Sequence, residues 1–126
     1  MSGLDLQGHT DREFSAVPEL EGEAIQLRLT GTADMHAIDP LSAILDKLHL
    51  EALRLATKQI VVDVRQLEFM NSSCLKAFVS WIAALQETTA PQQYRITFLS
   101  NPELRWQRRS LHALSCFASD LITVES

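Results

Sequence analysis

The sequence predicts a small α/β domain, a mainly parallel central sheet of about five short strands with three main helices. Three observations carry this expectation. Short runs that alternate in polarity or are rich in β-branched residues recur along the chain. Between them lie segments with apolar residues at helical spacing. Strands that alternate with helices imply parallel pairing, because each helix can serve as the crossover.

Residues 1–12 read as a flexible N-terminal tail and 13–126 as the folded domain. Phe14-Ser15-Ala16-Val17 alternates weakly and then meets Pro18, the pattern of an edge strand. Glu19 to Glu23 reads as a turn. Ala24 to Thr30 alternates, with Ile25, Leu27 and Leu29 on one face, and Gly31 should end the strand. Asp39-Pro40 reads as a helix cap followed by proline at the first helical position. Leu41, Ile44, Leu45 and Leu48 continue that helix toward Leu55. Ile60 to Val64 is nearly continuous and β-branched, as in a strand buried on both faces.

Arg65 to Met70 leads to two serines. Beyond them Leu75, Phe78, Val79, Ile82 and Leu85 form a second helical stripe, expected to bury Leu75, Phe78, Val79 and Ile82 against Ile60–Val64. Thr88-Thr89-Ala90-Pro91 breaks it. Tyr94 to Leu99 is a further strand. Asn101-Pro102 repeats the cap-plus-proline signal, with Leu104, Leu111, Leu114 and Phe117 placed to line one side of the last helix. Leu121 to Val124 closes the chain as a strand, giving the order β-β-α-β-α-β-α-β.

Composition narrows the function classes. A chain of 126 residues is one domain's length, and 46% hydrophobic with 21% charged residues is ordinary for a globular protein. A net charge of −5 argues against a nucleic-acid partner. No apolar run approaches the roughly 20 residues of a membrane span. The start, MSGLDLQGHTDRE, lacks a basic segment followed by an apolar one, so a cytoplasmic location is expected. Cys74 and Cys116 are too few for a disulfide framework, and no C-x-x-C or Cys/His cluster nominates a metal. No cofactor is implied.

The stretch FMNSSCLKAF, Phe69 to Phe78, holds the candidate site. A serine between a strand end and a helix start sits where backbone N–H groups lack partners. The helix dipole there favours a phosphate carrying about −1.5 to −2 charge. The plainer reading is that Ser72 or Ser73 is an N-cap. Ser73, one position further in, is the one expected to be occupied in capping. Asn71 fits a local turn, or it spares a phosphate the repulsion of a carboxylate. Lys76, four residues after Ser72, is a phosphate contact or a solvated lysine. Cys74, at a helix N-terminus, is a candidate for a lowered thiol pKa. Trp81 is read as core, with a partner contact as the alternative. Arg105, Arg108 and Arg109 with Trp106 form a basic segment, read as a solvated face, a partner site or a phosphate clamp.

These residues carry a resemblance. IVVDVRQLEFMNSSCLKAF resembles the signature of STAS domains, the family of bacterial anti-sigma factor antagonists, in which an I-V-x-D/N-L strand precedes L-x-F-M-D-S-S-G-L. Ile60 to Val64 match the strand; Leu67, Phe69, Met70, Ser72, Ser73 and Leu75 match the signature. Leu29 to Asp34 resembles the family's L-T-G-x-x-D, so the likeness runs from about residue 13 onward. Asn71 stands where the family has aspartate, Cys74 where it has glycine, and Lys76 where it has a small residue; the segment between Asp34 and Ile60 is slightly long.

The resemblance implies a phosphorylation-switched protein–protein interaction module in bacterial signalling. Ser72 would be the regulatory phosphosite, with Ser73 the second choice, and the unphosphorylated form would bind the partner. Asp34, Asn71, Ser72, Ser73 and Lys76 would make the partner surface. The implied partners are a serine kinase of the anti-sigma factor type and a serine phosphatase. The N-S-S variant is similar to single-domain STAS proteins that regulate a diguanylate cyclase in biofilm control, which is the alternative output. A constitutive, unphosphorylated scaffold is another. An enzyme is not expected: the G-x-S-x-G elbow is missing, and His9, His36, His49 and His112 show no spacing that nominates a base.

Overall fold

The computed structural model describes residue 4 and residues 6–126. Their strands are β1 (His9–Thr10), β2 (Phe14–Glu21), β3 (Ala24–Ala33), β4 (Gln59–Met70), β5 (Arg95–Leu99) and β6 (Ile122–Glu125). The helices are α1 (Ile38–Arg54), α2 (Ser72–Glu87) and α3 (Arg105–Phe117). Among the described residues the strands form one mixed sheet in sequence order, antiparallel from β1 to β3 and parallel from β3 to β6. Each helix is a crossover between adjacent parallel strands. Right-handed crossovers that all step in one direction leave all three helices on one face. The result is the expected single α/β domain.

Part of the stretch expected as a tail is in the sheet: His9 and Thr10 pair with Ala16 and Ser15, and Leu4 and Leu6 pack against the core. Residues 1–3 and 5 lie outside the described residues. β2 runs through Pro18 to Glu21 instead of stopping. Pro18 lies beyond the reach of β1, on the free edge, where a missing donor costs nothing. The turn narrows to Gly22 and Glu23, with Gly22 at φ 62°.

Gly31 does not end β3. It sits at φ 89° between two register shifts against β4, and a Cβ there would lie 2.0 Å from the Glu13 carbonyl oxygen. The next residue, Thr32, donates its N–H to that same carbonyl at 2.6 Å. The glycine is thus a bulge at which the chain crowds its neighbour, and the strand continues to Ala33.

The core lies between the sheet and the helices. Ile25, Leu27, Leu29, Ile60, Val62, Val64, Ile96 and Phe98 are buried, as are Leu41, Leu45 and Leu48 of α1. The α2 stripe is shifted from expectation: Cys74, Phe78, Trp81, Ile82 and Leu85 are buried, while Leu75 and Val79 are only half-buried at its margin. β4 is not covered by helices on both faces. Its second face carries Val61, half-buried, and Asp63, which pairs with Arg65 at 2.8 Å. The β-branched run reflects its central place in the sheet rather than two apolar layers. On α3, Leu111 and Leu114 are buried, but Phe117 is 47% exposed and Leu104 precedes the helix.

Candidate functional site

The serines sit where β3 and β4 leave the sheet side by side. Ala33 is paired with Met70, and the Asn71 N–H donates to the Ala33 carbonyl at 2.8 Å. Parallel strands therefore deliver Asp34 and Asn71 to the same end of the sheet, the carboxyl end where α/β folds place their sites. The two residues do the same job there. The Asp34 carboxylate accepts from the His36 N–H at 2.9 Å and caps a 3-10 turn over Met35–Ala37. Asn71, extended at φ −71° and ψ 151°, accepts from the Ser73 N–H at 2.6 Å through its side-chain oxygen and caps α2.

Two cap assignments are corrected by this. The cap of α2 is Asn71, not Ser72 or Ser73, and the Ser73 hydroxyl is not occupied in capping. Asp39 does not cap α1, which starts at Ile38 because the Asp34 turn runs straight into it. The amide at position 71 has both the extended backbone and the oxygen an N-cap needs. With that task taken, Ser72 and Ser73 open the helix with exposed side chains.

Cys74 turns inward. It is fully buried, and its Sγ lies 3.3 Å from the Asp34 carbonyl and 3.7 Å from that of Ala33. Burial, with the Asp34 charge adding to it, pushes the thiol above its ordinary pKa. The lowered pKa expected from its helix-start position is therefore overturned: desolvation outweighs the dipole. The thiol is a tie between the two strand ends. Only its size, where the family has glycine, could have signalled that role.

Lys76 is exposed one turn along α2 from Ser72, the spacing at which helical neighbours meet. Two apolar side chains are exposed next to the strand ends that lead to the site: Met35, 74% exposed, follows Asp34, and Phe69, 47% exposed, lies two residues before Asn71. Sequence periodicity missed both, because it marks apolar residues as core. None of the four histidines hydrogen-bonds either serine hydroxyl among the described residues. His49 instead meets the Tyr94 hydroxyl at 2.7 Å, which also accepts from Trp81 Nε1 at 2.7 Å, so Trp81 belongs to the core.

The basic segment is resolved into two parts. Trp106 is half-buried and donates Nε1–H to the Leu67 carbonyl at 3.2 Å, while Arg105, Arg108 and Arg109 are exposed. Asn101-Pro102 does not start the helix. Asn101 accepts from the Glu103 N–H at 2.9 Å in a turn, and α3 begins at Arg105 without a side-chain cap. Gln107, fully buried, donates to the carbonyls of Val64 (2.5 Å) and Leu67 (3.1 Å) and accepts from the Asn101 N–H at 2.8 Å. No sequence reading singled it out, although it shares a helical face with Leu111 and Leu114.

No protein-family model matches the sequence, and no curated protein matches it significantly. Solved structures do. An anti-sigma factor antagonist from Mycobacterium paratuberculosis superposes with a TM-score of 0.64 at 14% identity, over 88% of this chain and 86% of that one. The anti-sigma factor antagonist SpoIIAA in its unphosphorylated form gives 0.59 at 20% identity, over 88% of both chains. The Bacillus SpoIIAA in its phosphorylated form gives 0.59 at 19%, over 88% and 91%. An antisigma-factor antagonist STAS domain from Rhodobacter sphaeroides gives 0.52 at 15%, over 71% and 88%. At these identities the likeness is one of fold: the chain has the fold of a STAS domain.

Proposed function

We propose that this chain with the STAS fold is a non-enzymatic switch in bacterial signalling, one that binds a partner protein until Ser72 is phosphorylated. The observation that carries the reading is the division of labour at the start of α2. Asn71 makes the cap, so Ser72 and Ser73 are exposed with no capping duty. A kinase can modify such a hydroxyl without dismantling the helix.

Ser72 is the proposed phosphosite because it is the first serine of the signature and the first residue of α2. The capping argument against Ser73 no longer separates the two, so the signature position decides. A phosphate there meets the positive end of the helix dipole, which favours it. The fold should then tolerate modification. The surface around it should not: Met35 and Phe69 offer exposed apolar anchors, with Asp34, Asn71, Ser73 and Lys76 at their rim. A partner seated on them must desolvate a doubly charged group. Each 1.4 kcal/mol of that penalty weakens binding tenfold, and two such increments give a ~100-fold loss.

That SpoIIAA, of the same fold, is known in unphosphorylated and phosphorylated forms supports the reading. The partners we propose are a serine kinase of the anti-sigma factor type and an opposing phosphatase, in the cytoplasm. No described helix is long and apolar enough to cross a membrane.

The test is site-resolved mass spectrometry of the protein from its native host, followed by titration of the captured partner against both forms. Phosphate should lie on Ser72. Ser72→Ala should keep the partner, Ser72→Asp should weaken it, and circular dichroism should stay constant throughout. Phosphate on Ser73 alone would sink the assignment. A phosphorylated form that binds as tightly as the bare one would sink the release mechanism.

A further inference from the structure

The last crossover helix is built against its own dipole. α3 opens on Arg105 and carries Arg108 and Arg109 one turn on, with no acidic residue in its first turn. Cations at a helix N-terminus are disfavoured. Arg105 and Arg109 are also a like-charged pair at i, i+4 spacing, which is unfavourable in its own right. Arg28, Arg54 and Arg65 each face a carboxylate, whereas the isolated Arg12 and Arg95 form no ion pair among the described residues. Among the described residues, the three arginines of α3 form no ion pair. In a chain of net charge −5, three unpaired cations within five residues are a local conflict of the kind proteins retain at functional sites.

The three arginines line one open cleft of about 970 Å³. His112, Ser100, Asn101 and Ser126 share its wall, and no aspartate or glutamate side chain does. That volume lies within the range of small-molecule sites, about 300–1,000 Å³. A guanidinium fork matches phosphate oxygens in pairs. The aromatic residue of the segment takes no part, since Trp106 is pinned to Leu67. Apolar lining is limited to Pro102 and Val124, so the cleft offers no aromatic face on which a base could stack.

We propose that this cleft binds a small anion bearing two or more phosphate groups, held by Arg105, Arg108 and Arg109. The bound anion neutralises the mutual repulsion of the arginines and opposes the dipole mismatch, so ligand and helix stabilise one another. The site is on a different helix from the serines and does not depend on their phosphorylation.

The test is titration of sodium triphosphate into the whole protein at constant ionic strength, followed by calorimetry and amide chemical shifts. Saturable 1:1 binding is expected, with the largest shifts at residues 100–112 and a higher melting temperature. The double variant Arg105→Gln/Arg109→Gln should bind at least ~10-fold more weakly, since each charge-assisted bond removed counts. Without ligand it should melt at or above the wild-type temperature, because repulsion is relieved. The proposal fails if triphosphate does not saturate, or if the double variant binds it equally well. It fails if the unliganded double variant melts lower, which would make the arginines structural. Equal binding of hexaglutamate would reduce the cleft to a general sink for negative charge, and equal binding of monophosphate would remove the multi-phosphate class.

Discussion

Two helices begin at the carboxyl end of the same sheet, and they begin in opposite ways. α2 starts behind a neutral side-chain cap, on two small exposed hydroxyls, with its next residue buried. α3 starts uncapped on exposed arginines, with its anchoring done by Trp106 and Gln107 reaching across to β4. The first start is locally satisfied and electrostatically empty, so it can accept a negative charge that is added covalently. The second is satisfied at a distance and already charged, so it suits a negative charge that arrives and leaves. A helix N-terminus alone specifies neither use. The residues placed in its first turn do.

The largest effect that can break this comparison comes from the layer beneath α2. Phe78 is 1% exposed and meets Phe98 edge-on, with ring centroids 5.8 Å apart. Phe78→Ala should cost about 3–5 kcal/mol in chemical denaturation, a large part of a small domain's stability. A variant that melts like wild type would place Phe78 outside the core and remove the rigid base from under the serines.

Gln107→Leu tests the other start. It keeps the volume but orphans the Val64 carbonyl and the Asn101 N–H, at about 1–3 kcal/mol for each group. The loss should be read in denaturation, with amide exchange quickening around 64–67 and 101 while the start of α2 stays protected. Exchange that quickens equally at both starts would show that they are not independent. A smaller change sharpens the first start. Asn71→Ala should cost about 1 kcal/mol, the ordinary value of a cap. Asn71→Asp should keep that stability, yet slow phosphorylation of Ser72 by placing a carboxylate beside it. Equal kinase rates for wild type and Asn71→Asp would remove the electrostatic part of the argument.

The smallest effect is a pH dependence that should touch neither start. Burial lowers the His49 pKa from its ordinary 6.5, against the opposing pull of Asp46. The unfolded chain therefore binds this proton more readily than the folded one, and stability rises with pH. That contribution is complete above about 6.5 and is lost as pH falls through the lower folded value. His49→Gln should flatten the melting profile over that interval. An unchanged profile would show that another group governs it.

The sequence was most legible where periodicity and topology agree. Ile25, Leu27 and Leu29 alternate and are buried; Phe78, Ile82 and Leu85 keep helical spacing and are buried; the crossover order fixes the parallel half of the sheet. It was least legible at caps and strand ends, where several local rules compete for the same residues. Asp39-Pro40 and Asn101-Pro102 are good start signals. Each lost to an arrangement set from outside: Asp34 began a turn earlier, and Asn101 closed a turn of its own. Gly31 looked like a stop because a glycine's use as a bulge depends on a neighbouring strand it does not name. At the candidate site, the serine pair is nominated by its resemblance to a signature, whereas the cap at Asn71, the Cys74 tie and the exposure of Met35 and Phe69 depend on which strand lies alongside.

The overhang of β4 has a mechanical consequence. β5 is paired only as far as Asp63, so β4 projects from there to Met70 with no strand on that flank. The carbonyls of Val64 and Leu67 on the projecting part are propped by Gln107 and Trp106. On its other flank this stretch stays paired with β3 as far as Met70, and the Asn71 N–H continues that ladder. The strand that carries the serines is therefore gripped by a neighbouring strand on one side and by side chains of α3 on the other. Loosening the side-chain grip frees one flank of β4 and leaves in place the β3 pairing that seats the serines.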